Sequence, residues 1–151
     1  MLYKANILVV DDDRSLCEGI ATVLINAGYS VDKVHSGKEA LAMVNKNKYA
    51  LVLVDLMLPG ISGIELLQQI KKQNPNITII MITGYPSIKT AVEAIKFSAF
   101  DYLPKPFTPD ELRSLVARAL ERRLAYEEIA QQSGISEEKL VEISKPNSSS
   151  S

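Results

Sequence analysis

The sequence is poor in several features that would narrow its function. It has one cysteine, Cys17, in 151 residues, so no internal disulfide can form, and a reducing compartment is the consistent setting. Neither charge sign dominates. The formal net charge is −1, which gives no electrostatic reason to expect nucleic acid or a membrane surface as a partner. No apolar run approaches the roughly 18 residues of a spanning helix. The opening MLYKANILVV has one lysine before a short strand-like run and no long apolar stretch leading to small residues, so a signal peptide is not expected. There is no internal repeat. These absences leave a cytoplasmic globular chain as the expectation. An apolar fraction of 46% and a charged fraction of 23% are ordinary for such a chain, and the length suggests one domain with a proper core.

What is present is an alternation of two periodicities. Strand-like runs cover 6–10, 29–35, 49–55, 77–83 and 99–105. The third and fourth of these are continuously apolar, as expected when both faces of a sheet are covered. Helix-period segments lie between and after them, at 15–28, 36–47, 62–73, 87–98 and 108–132. Gly28 is a good helix stop. Ser36 with Glu39, Ser62 with Glu65, and Thr108 with Glu111 have capping-box spacing, and Pro109 suits a first turn. Five strands alternating with five helices predict a doubly wound α/β domain with a parallel sheet. The tail ISKPNSSSS is low in complexity and is expected to be disordered.

In open parallel sheets a ligand site lies beyond the carboxyl ends of the strands. Strand one ends in Asp11 and Asp12, strand three in Asp55, strand four in Thr83 and Gly84, and strand five in Lys105 and Pro106. A strand order 2-1-3-4-5 would bring these endings side by side. Three carboxylates and one ammonium leave excess negative charge, which a divalent cation with oxygen ligands would relieve; Mg²⁺ suits few carboxylates plus waters. The same groups can neutralise a transferring phosphoryl group. Asp55 could then be a nucleophile that forms an aspartyl-phosphate, with the Thr83 hydroxyl donating to a phosphoryl oxygen and Gly84 leaving room.

The segments VVDDD, LVDLMLPGISG, MITG and DYLPKPF, in this order and spacing, resemble the motifs of the response-regulator receiver domain. The resemblance covers roughly residues 4–124, and within the family TGYPSIKTAVEAIKFSAFDYLPKPF is most similar to receivers of the nitrogen-regulator type. It implies a flavodoxin-like five-stranded sheet in the order 2-1-3-4-5 with an extended C-terminal helix. It further implies a receiver over 1–124 and a helical extension and tail over 125–151. By position, Asp11 and Asp12 match the Mg²⁺-binding acidic pair, with Asp12 the closer ligand and Mn²⁺ as a substitute ion. Asp55 matches the phosphoacceptor and a metal ligand, and the main-chain carbonyl of Met57 a further ligand. Thr83 and Lys105 match the residues that hold phosphoryl oxygens, and Tyr102 the aromatic that turns inward on activation. Lys105–Pro106 matches a cis peptide bond. Met57 and Tyr85 match the positions that flank the attacking water in self-dephosphorylation; neither is an acid or carboxamide suited to orient water, so slow self-dephosphorylation is expected.

The implied partners are a sensor histidine kinase or phosphotransfer protein and an output domain or protein, with a phosphorylation-dependent homodimer left open. Ile88, Val92, Phe97 and Tyr102 are candidates for a switching face built by helix four, strand five and helix five. Plainer readings stand beside these. Asp13 is a helix cap or surface residue, Cys17 belongs to the core, His35 lies on the surface away from the site, and Lys71 with Lys72 form a solvated helix end. Residues 128–143 resemble half of a helix-turn-helix, but Glu137, Glu138 and Glu142 oppose DNA binding. They read instead as a linker helix, with Leu120 and Leu124 free to pack. Two rival functions remain: a Mg²⁺-dependent phosphatase with an aspartyl nucleophile, which would want an acid where Met57 stands, and a degenerate receiver that only binds proteins.

Overall fold

The structure, a computed structural model, describes residues 5–144. Its centre is the apolar strands. β1 (Asn6–Val10) is buried after its first residue, and β2 (Ser30–Val34) is half-exposed. β3 (Leu51–Asp55) is buried along its whole length, and β4 (Thr78–Thr83) after its first residue. β5 (Asp101–Pro104) is the second half-exposed strand. All pairings are parallel, in the order β2-β1-β3-β4-β5. The half-exposed strands are the edges, as their mixed composition predicts.

Successive strand side chains point to opposite faces, so a continuously apolar strand feeds two cores. On one face Ile7, Val9, Leu51, Leu53, Ile80 and Ile82 meet Cys17, Ile20 and Leu24 of α1 (Arg14–Asn26) and Leu112, Leu115 and Val116 of α5 (Pro109–Ser133). On the other, Leu8, Val10, Val52, Val54, Ile79 and Met81 meet α2 (Gly37–Lys46), α3 (Gly63–Gln73) and α4 (Ile88–Lys96) through Val44, Leu67 and Ala94. Each fully buried Leu or Ile contributes about 1.5–3 kcal/mol, so the strand ends are set in a rigid frame.

Asp13, Ser36, Ser62, Ser87 and Thr108 each accept a hydrogen bond from the amide three residues on, starting α1 to α5. Of the expected capping boxes, the one at Thr108 and Glu111 closes in both directions. At Ser36 the Glu39 carboxylate turns instead to the His35 amide and the Ser36 hydroxyl. At Ser62 the cap is the serine arm, which accepts from the Glu65 amide. Lys71 is also not the solvated residue expected: its ammonium donates to the Ile77 carbonyl at 2.6 Å and so ties the end of α3 to the start of β4.

α5 runs unbroken past residue 124; its last buried residue is Leu120. Gly134, at φ +76°, adopts the left-handed conformation that ends it. A sixth helix, α6 (Glu137–Ser144), then follows, one more than the periodicity predicts. It begins where the Ser136 hydroxyl accepts from the Lys139 amide. Ile143 and Ser144, the first residues of the expected disordered tail, fall within it; the remainder of that tail lies outside the described residues. No described helix is long and apolar enough to cross a membrane.

Candidate functional site

The parallel ladder continues one step beyond the strands, and this step fixes the polar residues. The Asp11 amide donates to the Val34 carbonyl, the Leu56 amide to Ile82, and the Lys105 amide to Thr83. Each backbone that carries a candidate residue is therefore held by the neighbouring strand before its side chain makes any contact.

Three polar residues are buried at this end of the sheet: Asp11, Asp55 and Thr83. Asp11 and Asp55 are joined by the exposed Asp12, and one carboxylate oxygen from each of the three lies within 4.8 Å of the others. Lys105 reaches the same point. Its ammonium donates to Asp11 Oδ2 at 2.9 Å and lies 3.7 Å from Asp55 Oδ2. The second Asp11 oxygen, Oδ1, accepts from the Asp13 amide at 2.9 Å, and Asp55 Oδ1 accepts from the Met57 amide at 3.2 Å. Asp13 has a separate task, accepting from the Leu16 amide as the cap of α1.

The charges are unbalanced. Burial, then the neighbouring charge of Asp11, pushes the Asp55 carboxyl up to about 6, although the Met57 amide and Lys105 pull the other way. Burial alone would lower the Lys105 ammonium, but its hydrogen bond and attraction to Asp11, and then Asp55, outweigh that and raise it. Three carboxylates against one ammonium, with oxygen donors on a tight perimeter, fit a small hard divalent cation.

Gly63 shows how closely α3 approaches the site. A methyl group there would lie 2.5 Å from the Asp55 carbonyl oxygen and 2.6 Å from Leu56 Cα. Gly84 is less constrained, since a methyl group would meet Lys105 Cδ at an ordinary 3.9 Å. Thr83 Oγ1 accepts from the Tyr85 amide at 3.0 Å. Met57 and Tyr85 stand at the rim, 57% and 76% exposed. Lys105–Pro106 is cis. The Tyr102 hydroxyl accepts from the Ser87 amide at 3.2 Å and pairs with Thr90 Oγ1 at 2.7 Å, so it is engaged with the start of α4. Ile88 and Val92 of that helix are exposed, while Phe97 and Tyr102 are half-buried against the core.

One expectation is overturned. His35 is half-buried, and its Nδ1 lies 3.0 Å from the main-chain carbonyl oxygen of Asp11. The missed signal is positional: β2 pairs with β1, so the residue after Val34 must sit beside the residue after Val10. Cys17 is core, as expected, and its sulfur lies 3.3 Å from that same carbonyl.

The sequence pattern of the response regulator receiver domain matches residues 7–117. The transcriptional regulatory protein ZraR of Salmonella typhimurium is 44% identical over 117 residues, 78% of this chain and 26% of that protein. The nitrogen assimilation regulatory protein NtrX of Azorhizobium caulinodans is 38% identical over 118 residues, covering 77% of this chain and 26% of that one. A crystal structure of a CheY-like receiver domain protein from Methanospirillum hungatei superposes with a TM-score of 0.79 at 31% identity, over 82% of this chain and 98% of that one. The chain thus spans about a quarter of the length of the first curated relatives it matches. It belongs to the response regulator receiver domain family.

Proposed function

We propose that this receiver domain is a phosphorylation-controlled switch of a two-component system, with Asp55 as the phosphoacceptor. The observation that carries the reading is the convergence of Asp11, Asp12 and Asp55 within 4.8 Å at the point reached by the Lys105 ammonium. Asp11, Asp12, Asp55 and the Met57 carbonyl are the proposed ligands of Mg²⁺, or of Mn²⁺ in its place. A bound divalent ion would supply charge neutralisation for a phosphoryl group brought next to three carboxylates.

The chain's own residues would do the rest. A carboxylate oxygen of Asp55 attacks the phosphorus of a phosphohistidine presented by a sensor kinase or phosphotransfer protein. A P–O bond forms and the P–N bond breaks, and the imidazole leaves neutral once its other ring nitrogen holds a proton. Lys105 exchanges its contact with Asp11 for the new phosphoryl oxygens. Thr83 gives up its bond from the Tyr85 amide to donate to one of them, and Tyr102 leaves Ser87 and Thr90 to follow. That exchange would reset the face carrying Ile88, Val92, Phe97 and Tyr102 between two packings. The domain carries out this self-catalysed transfer and a slow loss of phosphate, and no other turnover. Residues 1–124 form the switch in the cytoplasm. The output is an unidentified domain or protein, and homodimerisation on phosphorylation is one form that it can take.

The test is labelling by acetyl phosphate. Wild type is expected to take up one phosphoryl group in the presence of Mg²⁺ and none in EDTA, and Asp55→Asn none in either. Undiminished label in Asp55→Asn would sink the assignment.

A further inference from the structure

Three polar groups of Asp11 have partners already described: its amide the Val34 carbonyl, Oδ1 the Asp13 amide and Oδ2 the Lys105 ammonium. The carbonyl oxygen remains, and it faces two side chains that the proposed phosphotransfer does not use. His35 Nδ1 lies 3.0 Å away and Cys17 Sγ 3.3 Å away. A hydrogen bond to this carbonyl needs each as the donor, since the carbonyl only accepts, and the two also lie 3.8 Å from one another, Sγ to Nδ1. Cys17 is a weak donor, and burial, then the nearby Asp11 charge, pushes its thiol up to about 11, so it stays protonated. His35 is the stronger partner and itself is anchored: its amide donates to Glu39 Oε1 at 3.2 Å, and Glu39 belongs to the first turn of α2.

The carbonyl matters because of what it is bonded to. The Asp11 carbonyl and the Asp12 amide form one planar peptide unit. Holding the oxygen fixes the plane, and the plane sets where the Asp12 Cα sits and so the point from which its carboxylate reaches. Asp12 is exposed, and no hydrogen bond holds its side chain among those described. The position of the Asp12 carboxylate relative to Asp11 and Asp55 therefore rests on its backbone.

We propose that His35 is a positioning residue for the metal site: its Nδ1–H clamps the Asp11–Asp12 peptide plane and so aims the Asp12 carboxylate at the cation. The inference rests on the metal-site reading above. It extends the anchoring chain from Glu39 through His35 to the acidic pair, across the β2–β1 edge of the sheet. Residues that orient a ligand from behind in this way typically change metal affinity by about 10-fold or more when removed.

The experiment is Mg²⁺ titration calorimetry on the whole chain, with urea unfolding run in parallel. His35→Leu fills the space without a donor and is expected to weaken Mg²⁺ binding about 10-fold. His35→Asn places an amide nitrogen the same number of bonds from the backbone as Nδ1, and is expected to return the affinity to within about 2-fold of wild type. A purely structural role would track unfolding free energy in both variants and show no such rescue. Equal affinities in all three proteins, or equal losses in the two variants, would overturn the inference while leaving the metal site standing. No Mg²⁺ binding by wild type would overturn both. A further readout needs no variant: long-range proton–nitrogen NMR of wild type should show the neutral ring carrying its hydrogen on Nδ1. A neutral ring protonated on Nε2 would direct a lone pair at the carbonyl and overturn the proposal.

Discussion

Lys105 and Asp11 are 94 residues apart in sequence and form the tightest ion pair at the site, Nζ to Oδ2 at 2.9 Å, with Asp55 a looser second partner at 3.7 Å. The lysine is thus shared between a proposed metal ligand and the proposed phosphoacceptor. Asp11 is fully buried, so removing its counter-ion leaves a carboxylate with neither water nor cation. Lys105→Met is expected to cost about 2–3 kcal/mol in EDTA, less than a fully buried pair because the lysine keeps some solvent contact. Saturating Mg²⁺ should recover part of this. Urea unfolding with and without Mg²⁺ measures both, and an Mg²⁺-independent loss would argue against a shared charge site.

The phosphorylated state should be long-lived. Met57 and Tyr85, at the rim of the site, offer no carboxylate or carboxamide to orient a water molecule toward a phosphoryl group on Asp55. After donor removal, label on the wild type should decay over minutes or longer. Met57→Asn, which supplies a carboxamide, should shorten that lifetime severalfold. Decay of the wild type within seconds would contradict the assignment of these two positions.

Gly63 is required for space, not for backbone freedom. Its Cα packs so near the Asp55–Leu56 backbone that an added methyl group would overlap main-chain atoms, which cannot swing aside. Gly63→Ala should destabilise the fold by about 3 kcal/mol, at the upper end of overpacking costs, and should also weaken Mg²⁺ binding by displacing Asp55. A thermal or urea midpoint equal to that of wild type would show that α3 can retreat.

Far from the site, the buried Tyr49 hydroxyl donates to Asp32 Oδ2 at 2.6 Å. Burial, then the bond and charge of Asp32, raises the phenol above its ordinary value. A raised folded-state value means that this stabilisation is complete below the unfolded tyrosine value of about 10, and is lost as pH rises beyond it. Tyr49→Phe should cost about 1 kcal/mol near neutrality. The gap between wild type and variant should narrow above pH 10, and a constant gap in urea titrations up to pH 11 would count against the bond.

Much of the site was legible because the central strands β1, β3 and β4 are largely apolar and then turn polar at their carboxyl ends. Asp11, Asp12, Asp55, Thr83 and Lys105 stand out as strand endings, and the parallel order brings those endings together. The share of Lys105 was not legible: spacing says that it arrives, not that it bonds Asp11 more closely than Asp55. Nor was His35: the expected order already puts β2 beside β1, but the contact of its ring with the Asp11 carbonyl is set by side-chain packing. Lys71 looked like a solvated helix end because the path of the chain that folds back to Ile77 has no local signature. Tyr102 could be placed at the sheet edge, but its hydroxyl contacts with Ser87 and Thr90 come from a separate helix. α6 lies, but for Ser144, in the stretch 128–143 that reads from sequence as a single linker helix; the left-handed turn at Gly134 divides it.

The chain's residue order settled the fold class, since the periods of 2 and 3.6, the caps and the stop at Gly28 are local properties of neighbouring residues. It also settled which chemical groups reach the carboxyl edge. Folding in three dimensions settled how those groups share charge and which backbone atoms they hold. Hydrogen bonds and ion pairs between distant residues depend on tenths of an ångström between separate elements, and such distances are set by packing of the whole sheet rather than by any stretch of sequence.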